Sequence, residues 1–254
     1  MRQAEGMPPD DQLLAALRAS HDRLRAAVAP MDADEVCRLS YASEWTIAQV
    51  LSHLGSGAEI AEARHREAEV DPAPIWDRWN AKSPDQQVDD GLAADGRYLE
   101  LLEGMSENDR RAFSWSMGPM TMDFAESVRF RLAEHALHTW DVVVVDDPAA
   151  GIAEDATSLL LPHLVLMARW AGKPTGTTRT VRIATTNPAA GGIAELREDA
   201  VTLTIGGEMP EPELTLPAEA LIRLVYGRLD PAHTPAVEDP TGALPELRRV
   251  FPGF

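Results

Sequence analysis

The chain's 254 residues carry 23 Lys and Arg against 41 Asp and Glu, a formal net charge of −18 at pH 7. Nucleic-acid binding rests on cationic neutralisation of phosphates, so a polyanionic partner is not expected, and an anionic membrane surface would also be repelled. Hydrophobic residues at 44% and charged residues at 25% form an ordinary globular balance over one large domain or two smaller ones, and one cysteine, Cys37, leaves no intrachain disulfide framework.

The opening segment MRQAEGMPPDDQ has no apolar core, so a secretory signal is not expected. No aliphatic stretch approaches a membrane span, and a cytoplasmic location follows as the expectation. Leu13, Leu14, Leu17, Leu24, Val28 and Met31 predict a first amphipathic helix over Asp11–Ala29, ended by Pro30. A second helix is predicted from Thr46 to about Glu69. Thr46 and Gln49 fit a capping box, and Ile47, Val50, Leu51, Leu54, Ala58 and Ala61 form its apolar face. Pro72 and Pro74 read as a loop. A third helix covers Pro84–Leu102, Met105–Met120 reads as a loop, and a fourth helix covers Thr121–Val145. A fifth runs from Glu154 to Ala171, with Pro162 set to kink or split it.

Beyond Pro174 the pattern alternates. Thr180–Ala184, Ala200–Ile205 and Glu213–Leu216 read as strands, Gly191-Gly192 and Gly206-Gly207 as turns. Pro217 opens a helix through Tyr226, a short edge strand and turn fall in Pro235–Pro240, and Ala243–Val250 is a final helix. The expected fold is therefore α+β: a helical part over residues 1–174 and a small α+β domain over residues 175–254, joined near Gly172–Thr178.

The chemistry concentrates on the fourth helix. Arg131, Glu134, His138 and Asp141 fall on one helical stripe edged by Phe130, Leu137, Val142 and Val144. Buried charges on such a stripe must be paired or bound to a metal. Glu134 and His138, four residues apart, can converge on one ion or simply pair with each other. A catalytic zinc site commonly takes three protein ligands and keeps a position open. His53, at the edge of the second helix's apolar face, is the candidate third ligand; the alternative is an edge-of-core histidine. Arg131 and Asp141 either neutralise one another or order a water network. His21 and His135 read as solvated, Trp45 as a wedge at the helix start and Cys37 as an incidental thiol.

These residues also carry a resemblance. Ser43-Glu-Trp45-Thr-Ile-Ala-Gln-Val-Leu-Ser-His53-Leu54 and Arg131-x-x-Glu134-x-x-x-His138-x-x-Asp141 resemble the two signatures of mycothiol-dependent maleylpyruvate isomerase-like proteins, within the DinB/YfiT-like metal-binding superfamily. Trp76-Asp-Arg-Trp79-Asn with Ser83-Pro84 has the same texture. The resemblance implies a DinB-like four-helix-type bundle with an extra helix, followed by the small α+β domain. It implies zinc or another divalent metal on His53, Glu134 and His138, with mycothiol, the actinobacterial low-molecular-weight thiol, presenting its sulfur at the open position. It implies a catalytic arginine in the C-terminal domain, for which Arg228 is the match, with pairing to Asp230 or Glu219 as the alternative. Arg131 and Asp141 are then supporting or substrate-binding residues.

The implied function is metal- and thiol-dependent cis–trans isomerisation of a small electrophile such as maleylpyruvate; the cleft is expected at the domain junction, where ligand sites often form. Mycothiol S-transfer onto an electrophile and a non-catalytic metal- or ligand-binding module are the alternatives. Expected partners are the thiol and a small electrophilic or carboxylate substrate, with no nucleic acid and no membrane; a homodimer stays open.

Overall fold

The computed structural model describes residues 9–42, 44–66, 70–117 and 120–253. The chain divides into two compact units, Met1–Asp147 and Pro148–Phe254. The first is a helical bundle and the second an α+β unit, as the expected fold class requires. The division falls before the fifth predicted helix, so the expected boundary at residues 174–175 lies inside the second unit. The reason is packing: the two helices formed over residues 154–171 lie against later elements of that unit.

The bundle has four 20-residue helices: α1 (Pro9–Val28), α2 (Ile47–Arg66), α4 (Pro84–Glu103) and α6 (Phe124–Val143). Helix α1 packs on α6 and α4, and α2 packs on α4. Leu24, Val28, Ile47, Val50, Leu51, Leu54 and Val142 form a buried cluster between them. The helix starts are set by side-chain caps. Thr46 Oγ1 accepts from the Gln49 N–H at 3.2 Å while Gln49 Oε1 accepts from the Thr46 N–H at 2.8 Å. Ser83 and Gln86 repeat this box at α4. Asp123 caps α6 through the Glu126 N–H, so that helix starts later than expected and Thr121 joins a strand.

Two predicted loops hold structure. Residues 73–80 form helix α3 (Ala73–Asn80), because Pro72 and Pro74 occupy its N-cap and first turn, where no N–H is needed. Residues 107–112 form α5 (Glu107–Ala112), capped by Ser106, and Trp115–Met117 (β1) pairs antiparallel with Met120–Met122 (β2). Helix α3 drives the indole of Trp79, 2% exposed, between α2 and α4. Glycine makes the room: a Cβ on Gly55 would meet the Trp79 ring at 2.5 Å, and one on Gly91 would meet the Leu51 carbonyl oxygen at 2.6 Å. The expected end of the second helix near Glu69, the first residue of the Ser43–Leu54 motif, Gly118-Pro119 and residues 1–8 lie outside the described residues.

In the second unit Pro162 splits the predicted fifth helix into α7 (Glu154–Leu160) and α8 (Leu164–Ala171), with a 3₁₀ turn over Leu161–His163. A four-stranded sheet follows: β3 (Arg179–Thr186), β4 (Ala190–Leu196), β5 (Val201–Gly206) and β6 (Leu214–Pro217), in the order β5-β4-β3-β6 with only the β3–β6 pair parallel. Strand β4 corrects the reading of Gly191-Gly192 as a turn. Both glycines lie in the strand, and a Cβ on Gly191 would stand 2.4 Å from the Gly207 carbonyl oxygen, so they permit a close backbone approach. Helix α8 packs on β5, and α9 (Ala218–Val225) packs on α7, α8, β3 and β6. The expected edge strand near Pro235–Pro240 is a single antiparallel bridge between Thr215 and Glu238. Helix α10 (Leu244–Val250) ends the unit.

Candidate metal centre

The polar stripe of α6 meets α2, and the two helices bring His53, Glu134 and His138 together. One nitrogen of each histidine and one carboxylate oxygen of Glu134 all lie within 4.8 Å of one another. His53 Nε2 stands 2.9 Å from Glu134 Oε2, and His138 Nε2 stands 3.8 Å from the same oxygen. The imidazole rings meet edge to face, with centroids 4.9 Å apart. His138 is buried, whereas His53 and Glu134 keep partial solvent access. Burial pushes the Glu134 carboxyl up, but the hydrogen bond from His53 and the charges of His138, His53 and Arg131 outweigh it and hold the pKa at about 2. Glu134 is therefore an anion at neutral pH.

Supporting side chains orient the three. Asp141, fully buried, lies 2.9 Å from His138 Nδ1 and takes that ring's N–H, leaving Nε2 as the nitrogen that faces Glu134. Trp45 lies against both rings, with centroids 4.9 Å from His53 and 6.0 Å from His138, and also packs on the bundle core, so it is both wedge and site wall. Two imidazoles and one carboxylate, converging from two helices with the second nitrogen of His138 already fixed, suit a borderline divalent cation such as zinc. The donor set thus fits the metal that the resemblance implies.

Arg131 and Asp141 do not pair as one alternative supposed. Arg131 Nη2 donates to Asp95 Oδ1 at 2.6 Å and to the Leu54 carbonyl at 2.7 Å. Asp95 also receives His21 Nδ1 at 2.6 Å and His135 Nε2 at 2.8 Å. The reading of His21 and His135 as solvated is thereby overturned: they are 4% and 0% exposed. His21 lies among charges and His135 falls off the polar stripe of α6, which hid that α1, α4 and α6 converge on one carboxylate. A carboxylate on the buried face of α4, with the interior histidines of two other helices, was the available signal. Burial pushes the Asp95 carboxyl up, but the pull of His135 and Arg131, with hydrogen bonds from His135 and His21, holds it well below the usual range. Burial likewise outweighs Asp95 at His135 and pushes that pKa down. Among the described residues His135 Nδ1 has no hydrogen-bond partner.

In the second unit Arg228 is half-buried and donates from Nη1 to the Tyr226 carbonyl at 3.2 Å. Glu219 is engaged elsewhere, by Arg223 at 2.7 and 2.9 Å. Cys37 is a free, exposed thiol. A separate cavity of about 570 Å³ lies toward the C-terminal end of α2, lined by His65, Tyr98, Phe113 and Trp115 among others; none of the three converging residues lines it among the described residues. No helix among the described residues is long and apolar enough to cross a membrane.

A helical bundle that brings two histidines and a glutamate together is followed by an α+β unit, and the comparisons with known proteins match this fold. Residues 17–143 match the family described as the mycothiol maleylpyruvate isomerase N-terminal domain, and the chain belongs to that family. Two solved structures share the fold. The crystal structure of the mycothiol-dependent maleylpyruvate isomerase is 14% identical, with a TM-score of 0.62, and the alignment covers 90% of this chain and 93% of that one. The structure of a histidine-to-alanine mutant of that isomerase is 15% identical, with the same TM-score and coverage. At this identity the likeness shows the fold alone. No curated protein matches the chain.

Proposed function

We propose that this chain is a metal-dependent enzyme that uses mycothiol on a small electrophilic substrate, with cis–trans isomerisation of maleylpyruvate or a close analogue as its reaction. The observation that carries the reading is the convergence of His53, Glu134 and His138 donor atoms within 4.8 Å in a member of this family. A divalent metal held by His53, Glu134 and His138 would supply the Lewis acidity that lowers a thiol's pKa toward neutrality. The chain's own residues hold and orient. Glu134, ionised, balances the cation; Asp141 keeps His138 in the tautomer whose Nε2 can ligate; Trp45 walls the two imidazoles. Since the thiol comes from a small molecule, no cysteine of the chain is needed, in accord with the exposed Cys37. Arg131, tied to Asp95 and Leu54, fits the supporting role rather than substrate binding. To Arg228 we assign a bidentate grip on a substrate carboxylate; the check is Arg228→Lys, expected to raise KM for a dicarboxylate substrate at unchanged metal content.

The test is elemental analysis of the purified protein, followed by turnover of maleylpyruvate with and without mycothiol. The expected result is about one divalent ion per chain, lost in His53→Ala and His138→Ala, and isomerisation that requires the thiol. A metal-free protein of unchanged stability would overturn the metal centre. A stable thiol adduct in place of the trans isomer would replace isomerisation by S-transfer.

A further inference from the structure

We infer that Asp95, on α4, is a positioning residue for the three converging side chains, acting through Arg131. The inference rests on the metal reading above. Helices α2 and α6 carry the proposed ligands, yet α2 packs chiefly on α4 and α6 chiefly on α1. Besides the His53–Glu134 bond and the packing of Val142, the two ligand-bearing helices are tied through one guanidinium nitrogen. Arg131 Nη2 bonds the carbonyl of Leu54, the residue after His53, at 2.7 Å, and Asp95 Oδ1 at 2.6 Å. Arg131 stands one turn before Glu134 and two turns before His138 on the same face of α6. His135, bonded to the same Asp95 oxygen, follows Glu134 directly. The anchored guanidinium thus sets how far α6 stands from α2 and how it is rotated, and with them the separation of His53 from Glu134.

Space in the structure agrees. Gly57, one turn beyond His53, lets the arginine pass: a Cβ there would stand 3.2 Å from Arg131 Nη1. Asp95 and Arg131 are 6% and 11% exposed at their side chains, so water does not screen the pair. A buried ion pair is a poor device for stability, because packed hydrocarbon of similar volume commonly serves as well or better. What hydrocarbon cannot do is hold the Leu54 carbonyl at hydrogen-bond distance from a residue of α6. His21, on Asp95 Oδ2, steadies the carboxylate without touching that link.

The experiment measures Zn²⁺ affinity by chelator competition and the d–d absorption of the Co²⁺-loaded protein. Wild type is compared with Asp95→Asn, the double variant Asp95→Leu/Arg131→Met, and His21→Gln. The double variant removes the link without stranding either half of the ion pair, although His21 and His135 lose their acceptor, so metal binding is read only at urea concentrations where each variant is folded. The expected result is a loss of affinity of roughly 10–100-fold with an altered Co²⁺ spectrum in both Asp95 variants, as for other residues that orient ligands. His21→Gln is expected to unfold more easily but to bind metal as wild type does. A folded Asp95 variant with wild-type affinity and spectrum would overturn the inference alone. A wild-type protein that binds neither ion would overturn the metal reading, and the inference with it.

Discussion

At the scale of single residues, the site is a question of who holds each donor. His138 can ligate through Nε2 only if its other nitrogen keeps the proton, and Asp141, 0% exposed, takes that N–H at 2.9 Å. Asp141→Asn keeps the shape but loses the charge that makes the ring a stronger donor. We expect it to lower Zn²⁺ affinity about 10–100-fold, as read by chelator competition, and Glu134→Ala to lower it further. Equal affinity in Asp141→Asn and wild type would show that the Asp141 carboxylate does not tune the site. His53, Glu134, His138, Arg131 and Asp141 were all legible as candidates, because helical spacing places four of them on one stripe. Asp95 was legible only as a carboxylate on the apolar face of α4, not as a partner of the site. On α4 it is one acid among many, and only the convergence of His21, Arg131 and His135 from other helices distinguishes it.

At the scale of elements, caps and close approaches decide where the ligand-bearing helices stand. The Thr46–Gln49 box fixes the first turn of α2, two turns ahead of His53. Removing one cap should cost about 1 kcal/mol, so Thr46→Ala is expected to unfold at lower denaturant with an unchanged slope. The contact of α2 with α4 is less forgiving. A methyl on Gly91 would collide with the Leu51 backbone at 2.6 Å, and neither helix backbone can turn aside as a flexible side chain would. Gly91→Ala is expected to destabilise by roughly 1–3 kcal/mol in urea unfolding, despite the better helix propensity of alanine. No loss would mean that α2 and α4 can slide apart freely. The long helices were readable in advance because each shows an apolar face. Helix α3 was not, since its prolines signal a loop equally well, and β4 was not, since its two glycines carry no side chains to alternate.

At the scale of the whole molecule, the acidic balance of −18 and the buried Asp95 make a joint statement about pH. The Asp95 carboxyl is depressed below its ordinary value of 3.8 in the folded chain. Its contribution to stability is therefore complete above that value and lost as pH falls through the folded pKa. Urea unfolding at pH 7, 5 and 3 should show wild type losing stability below about pH 4. Asp95→Asn should start lower at pH 7 and change less between pH 5 and 3. Parallel profiles for the two proteins would show that Asp95 is not the group responsible. A metal bound only by the folded chain adds stability by mass action, so a chelator is expected to lower the Tm of wild type but not of His53→Ala.

The division into helical and α+β parts and the shared stripe of Arg131, Glu134, His138 and Asp141 were legible in the amino-acid sequence, because spacing along a helix fixes which side chains share a face, while the family and the grouping of His53 with that stripe rested on the resemblance of two motifs. Tertiary structure decided the rest: that helices α7 and α8 belong with the sheet, that Arg131 serves Asp95 and Leu54 rather than Asp141, and that His21 and His135 are interior. Periodicity states which way a residue points from its own helix. It carries no information on what another helix places opposite, and partners drawn from α1, α4 and α6 meet only once the bundle has closed.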